Sequence, residues 1–258
     1  MKKLILLFLL LNFTAQAQKK LIWPGDRTAT IVLTYDDGLA SQLKVAIPQL
    51  EDAHFKGTFF LTGDLNHLTI PEWRTLSKKG HELANHTVYH PCTIRDDNPV
   101  ASENYTVHGM LQEITLMNNF LYAVDGKITR TYAYPCTETL AGGKSYVDSL
   151  RKYGQVKYAR IGGDADDAVI TDFGNLDPLQ VPSYGLDDNT TGAQLIAFVK
   201  KVQQSGGMGV IMFHGIGGDY ISTSADAHQE LLDYLGNNKK EIWVATFEQA
   251  MDHVMKVK

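Results

Sequence analysis

Two short stretches of this chain carry residues that bind metal ions or move protons. Residues 81–92 read His-Glu-Leu-Ala-Asn-His-Thr-Val-Tyr-His-Pro-Cys, which sets His86 and His90 four positions apart. Two imidazoles at that spacing can grip one metal ion. On a helix they would share a face, but Pro91 disfavours helical geometry at His90, so the pair is expected on a turn after a strand at 80–84. The second stretch, Thr34-Tyr35-Asp36-Asp37-Gly38, follows the apolar run 29–33, which reads as a buried strand. Its two carboxylates therefore sit at a strand end, before a glycine turn. A bare His-x3-His or Asp-Asp-Gly is commonly structural. One Asp with two His, however, makes the three-ligand set of an open catalytic metal site with water in the fourth position.

A metal in such a site makes water easier to deprotonate, and a nearby carboxylate can take the proton. Asp36 and Asp37 can divide those tasks. A third position, His214, directly follows the apolar run 209–213 and precedes the glycine-rich 215–218. Histidine is a residue type suited to passing a proton to or from a reacting group.

These stretches, with Tyr132-Ala133-Tyr134-Pro135-Cys136 and Val210-Ile211-Met212-Phe213-His214, resemble in order four motifs of the polysaccharide deacetylase family, carbohydrate esterase family 4 with its NodB-like domain. The resemblance spans residues 28–253. It implies Asp37, His86 and His90 as metal ligands, Asp36 as general base and His214 as the general acid that protonates the leaving group. It also implies the backbone N–H of Cys136 as oxyanion donor. Zinc suits two imidazoles and a carboxylate, with cobalt or nickel also acceptable. The chain departs from the family in two places. Ala133 stands where an arginine usually orients the base, a task Arg160 at the end of a fifth strand can take over. The fourth motif, with its tryptophan, is not recognisable, so no partner is assigned to orient His214.

The supporting elements follow from periodicity. Strands are expected near 29–33, 57–61, 80–84, 128–134, 157–161, 179–182, 209–213 and 242–245. Helices are expected over 41–53, 71–79, 107–123, 144–153, 191–204 and 225–235 and from 247, with loops at 93–104 and 162–178. Strands alternating with helices imply parallel βαβ units. That predicts an α/β chain, a (β/α) barrel with about seven parallel strands, which the resemblance makes distorted and incomplete. The motifs then fall at the strands' C-terminal ends, where barrels carry their chemistry.

With 258 residues, 44% of them hydrophobic, the chain suits one sizeable domain. A net charge of −5 without long basic runs argues against nucleic acid as partner. Residues 1–17 read as a signal peptide: Lys2-Lys3, an apolar run, then Ala15-Gln16-Ala17. Cleavage near Ala17 leaves residues 18–258 as an exported catalytic domain, periplasmic or secreted, with no later run long enough to span a membrane. Cys92 and Cys136 each follow a proline beside a motif, so the barrel would bring both to one rim. Export favours oxidation, but a disulfide and two free thiols both stay open.

The resulting expectation is a hydrolase that removes N-acetyl or O-acetyl groups from a polysaccharide or oligosaccharide, with an acetylxylan-type esterase as the narrower alternative. A non-catalytic glycan-binding relative is a second class, favoured by the missing arginine. A glycoside hydrolase is a third, but it needs two carboxylates flanking the scissile bond at set separation, which adjacent Asp36 and Asp37 do not offer.

Overall fold

The computed structural model describes residues 22–93 and 100–257. The expected signal peptide at 1–17 and part of the polar loop at 93–104 lie outside the described residues.

The centre of the fold is β1 (Ala29–Asp36), buried along its whole length. Its near-continuous apolar run is what a parallel strand covered on both faces requires. One edge pairs in parallel with β10 (Met208–Phe213). The other edge is shared: residues 29–32 pair with β11 (Ile242–Ala245) and residues 34–36 with β2 (Thr58–Leu61). Beyond β2 follow β3 (Glu82–Asn85), β4 (Thr131–Ala133) and β7 (Tyr158–Arg160), all parallel. The two ends of this curled sheet approach across residues 181–185. Val181 bridges Arg160 and Tyr184 bridges Gly163, while β9 (Tyr184–Gly185) pairs with β10. The result is a distorted barrel of seven parallel strands, with β11 beside β1.

Four expected boundaries shift. The sixth strand lies at Tyr184–Gly185, beyond 179–182. The expected loop 162–178 contains β8 (Val169–Ile170), antiparallel to β10. The start of the expected helix at 144–153 is instead an antiparallel hairpin of β5 (Leu140–Ala141) and β6 (Lys144–Ser145), leaving α4 as Val147–Tyr153. The expected helix 41–53 begins as a π-helical turn at Gln42–Ala46 before α1 (Ile47–Asp52).

Side-chain alternation sorts the strands' two faces. Outward, Ile31, Leu33, Tyr35, Phe59, Leu61, Ile211 and Phe213 pack under the surrounding helices α2 (Ile70–Lys78), α3 (Val107–Asp125), α5 (Gly192–Ser205) and α6 (Ala225–Asn237). Tyr35 is stacked between Phe59 and Phe213 at 4.8 and 5.2 Å. Inward, Val32, Phe60, Ala84, Ala133 and Val210 fill the lumen, and Phe247 and Met251 of α7 (Phe247–Val257) join the same cluster. Glu82, buried at the N-terminal end of β3, holds α7 there: it accepts from Glu248 N at 2.9 Å and from the Thr58 and Thr131 hydroxyls. Because residues alternate, Asp36 follows Tyr35 onto the inner face at the strand's C-terminal end.

Candidate active site

The C-terminal ends of β1, β3, β4 and β10 surround a cavity of about 730 Å³, lined by Asp36, Asp37, His86, His90, Cys92, Tyr134, Cys136, Met212, His214 and Tyr220, among others. All the residues assigned from the sequence meet here, Arg160 reaching it from beneath through Asp36.

His86 follows β3 directly and is buried. Its Nδ1–H donates to the Ala133 carbonyl at 2.8 Å, which places the proton on Nδ1 and leaves the Nε2 lone pair facing the cavity. The chain then turns through left-handed Thr87 (φ 64°) and His90 (φ 51°). Asn85 Oδ1 and Glu113 Oε2 satisfy the loop's backbone: Thr87 N donates to Asn85, and Val88 N and Tyr89 N donate to Glu113. His90 Nδ1 lies 3.5 Å from Cys92 Sγ, so its Nε2 also faces the cavity.

Cys92 and Cys136 are bonded to one another, which resolves the alternative left open above. The bond ties the loop after β3 to the turn after β4, where Cys136 and Thr137 both take positive φ, 50° and 62°.

Three ligand atoms converge. His86 Nε2 and His90 Nε2 are 3.1 Å apart, and Asp37 Oδ1 lies 3.5 and 3.6 Å from them. Zinc bonds of about 2.0–2.1 Å in a tetrahedral arrangement separate ligand atoms by roughly 3.4 Å, so the triad fits a small divalent ion. Protonation states agree with that fit. Burial brings the His86 pKa down to about 4, and burial together with His86 does the same for His90, so both are neutral near pH 7 with lone pairs available. The cluster of His90 with Cys92 and Cys136 offers no comparable set, because both sulfurs are spent in the disulfide.

Asp36 is placed differently from its neighbour. Its Oδ2 accepts from Arg160 Nη2 at 2.5 Å, while Oδ1 is buried with no hydrogen-bond partner among the described residues. Burial alone would raise this carboxyl, but Arg160, followed by His86 and His214, outweighs it and lowers the pKa below its ordinary value. Arg160 is itself held by donating to Ser183 Oγ at 3.0 Å and by lying over the Phe60 ring at 4.9 Å. Thus a guanidinium from β7 stands beside Asp36, where the family pattern would draw one from β4. Asp37 has a left-handed backbone (φ 76°), and its pKa is raised, chiefly by burial, with His90 opposing.

His214 directly follows β10, with Nε2 4.0 Å from Asp37 Oδ2; its Nδ1 is buried without a partner among the described residues. His81 is buried away from the cavity as supporting structure: it accepts from Gly57 N and bonds Glu51.

Two residues at the site had no sequence signal. Gln42 donates to the Asp36 carbonyl at 2.5 Å and the His214 carbonyl at 3.0 Å, clamping the ends of β1 and β10 together. The π turn that carries it, a form often found at functional sites, is not readable as a pattern. Tyr220 donates to Asp37 Oδ2 at 2.7 Å from a loop without periodicity.

This geometry is accompanied by a family match. The chain belongs to the polysaccharide deacetylase family, whose model matches residues 25–155. Among solved structures, a polysaccharide deacetylase described as putative, from Mycobacterium smegmatis, shares the fold with a TM-score of 0.67 at 18% identity, over 92% of this chain and 93% of that one. Peptidoglycan deacetylase PdaC from Bacillus subtilis gives 0.58 at 20% identity, over 88% and 92%. A family 4 acetyl xylan esterase from Clostridium thermocellum, solved with a cobalt ion, gives 0.55 at 17%, over 86% and 90%. A gellan lyase from Bacillus sp is 27% identical over 115 residues, covering 44% of this chain and 4% of that protein, so the chain spans a small part of its length.

Proposed function

We propose that residues 18–258 form an exported, metal-dependent carbohydrate deacetylase that hydrolyses acetyl groups, N-linked or O-linked, from a polysaccharide or oligosaccharide. The observation that carries this reading is the division of labour between adjacent carboxylates: Asp37 Oδ1 joins His86 and His90, while Asp36 Oδ1 stays open beside them.

Asp37, His86 and His90 would hold the ion, zinc by preference with cobalt or nickel also accepted by this ligand set. When bound, such an ion supplies a Lewis acid for water and for the acetyl carbonyl. Asp36 takes the proton of the attacking water at Oδ1, and Arg160 fixes the carboxylate through Oδ2. The Cys136 N–H, on the cavity wall, donates to the developing oxyanion. His214 delivers a proton from Nε2 to the departing amine or alcohol. Water is the nucleophile, and no acyl-enzyme forms.

The observation that favoured a non-catalytic relative was the missing arginine, and Arg160 occupies that role from the next strand. The test is acetate release from a panel of N-acetylated and O-acetylated glycans, with and without added zinc or cobalt. Metal-dependent release supports the reading; no release from any acetylated glycan favours a binding module.

A further inference from the structure

Asp37 carries two carboxylate oxygens, and the structure gives them different surroundings. Oδ1 faces the two imidazoles, whereas Oδ2 accepts the Tyr220 hydroxyl at 2.7 Å. Among the described residues no other hydrogen bond reaches Oδ2; His214 Nε2 lies 4.0 Å away. Left to itself the carboxylate would rotate about its last torsion, a broad, two-fold well.

The loop that delivers Tyr220 is built tightly. Asp219 and Ile221, on either side, take left-handed backbone angles of 63° and 44°, a conformation costly for a β-branched residue. A Cβ at Gly215 would lie 2.0 Å from the Gly218 carbonyl, so the loop closes only over glycine. Gly215 N donates to Tyr220 O and Thr223 N donates to Gly215 O. Two carboxylates then tie the loop to its surroundings: Asp219 accepts from Ser41 N at 2.7 Å, and Asp188 accepts from Ser222 N at 2.5 Å. Yet Tyr220 is 53% exposed, so the core does not need its ring. Strain and anchoring at an exposed tyrosine point to its hydroxyl.

We propose that Tyr220 is a positioning residue that holds Asp37 with a single oxygen turned toward His86 and His90, setting the affinity of the site for its metal. This rests on the metal-site reading above. Hydrogen bonds to ligating side chains commonly govern metal affinity by 10–100-fold. The ring of Tyr220 also lines both the catalytic cavity and a neighbouring one of about 760 Å³, so a phenylalanine keeps the wall and removes only the donor.

The experiment is Tyr220→Phe in the full chain, stripped of metal and titrated with zinc against a chromophoric chelator. The expected result is about tenfold or greater loss of zinc affinity, an unchanged Tm for the metal-free protein, and a half-saturating zinc concentration for acetate release that rises by the same factor. Unchanged affinity in the variant, beside normal binding by wild type, would overturn the role of Tyr220 and leave the metal site standing. A zinc dependence of acetate release that matches wild type would overturn it too. A wild-type chain that takes up no zinc would overturn both readings.

Discussion

Arg160 and Asp36 form a buried ion pair that places a charged carboxylate under a cavity. Such pairs add little net stability, but removing one partner strands the other and costs about 3–5 kcal/mol. Arg160→Met is therefore expected to destabilise the fold by roughly that amount and to slow turnover, measured by urea unfolding and acetate release on the same sample. Arg160→Lys should recover only part of either, since an ammonium cannot reach both Asp36 and Ser183 as the guanidinium fork does. At this scale the sequence was informative where chemistry is local. Asp36, Asp37, His86 and His90 stand out by type and spacing, whereas His214 is assigned only through its resemblance to a family motif. Arg160 was legible only as a candidate, because its partner lies 124 positions away. Gln42 and Tyr220 were not legible, since each acts through a turn whose geometry depends on contacts distant in sequence.

The elements that hold these residues are short loops in constrained conformations. Among the described residues between Thr87 and Thr137, four non-glycine residues take positive φ, namely Thr87, His90, Cys136 and Thr137, and the Cys92–Cys136 bond joins the two loops that carry them. Closing a loop of this length stabilises a fold by roughly 2–4 kcal/mol. The double variant Cys92→Ser, Cys136→Ser should lose about that much in urea unfolding while retaining metal, because the ligands and the Cys136 N–H do not involve sulfur; loss of metal on elemental analysis would show that the bond holds His90 in place. Strand and helix order was readable from alternation of apolar runs; the Thr191 capping box that opens α5 is seen only in the structure. The hairpin at 140–145 and the two-residue β8 were not readable. Each is too short to show a period; β8 pairs with the edge of β10, whereas β5 and β6 pair with one another in a separate two-stranded sheet.

For the whole molecule, burial of polar groups links stability to pH. His228 on α6 is fully buried, with Nε2 accepting from the Tyr35 hydroxyl at 2.7 Å and Nδ1–H donating to Gln49 Oε1 at 2.6 Å. Both bonds suit the neutral ring, and burial lowers its pKa to about 3. The unfolded chain, titrating near 6.5, binds the proton first. His228 thus leaves stability intact above about pH 6.5 and erodes it as pH falls toward about 3, at up to ~1.4 kcal/mol per pH unit. Urea unfolding between pH 7 and 4 should show a shallower decline in His228→Gln than in wild type; parallel curves would contradict this. The barrel itself follows from repeated strand–helix units, but its closure through residues 181–185 does not, because those residues pair across two edges that the linear pattern keeps apart. On the proposed function, one fold assigns adjacent carboxylates separate tasks, Asp37 toward the metal and Asp36 toward the attacking water. The most direct measurement is metal stoichiometry and acetate release on wild type, Asp36→Asn and Asp37→Asn side by side. Asp36→Asn should keep full metal content and lose turnover on the order of a hundredfold or more, whereas Asp37→Asn should lose metal first. Equal metal loss in both variants, or undiminished turnover in Asp36→Asn, would contradict that assignment.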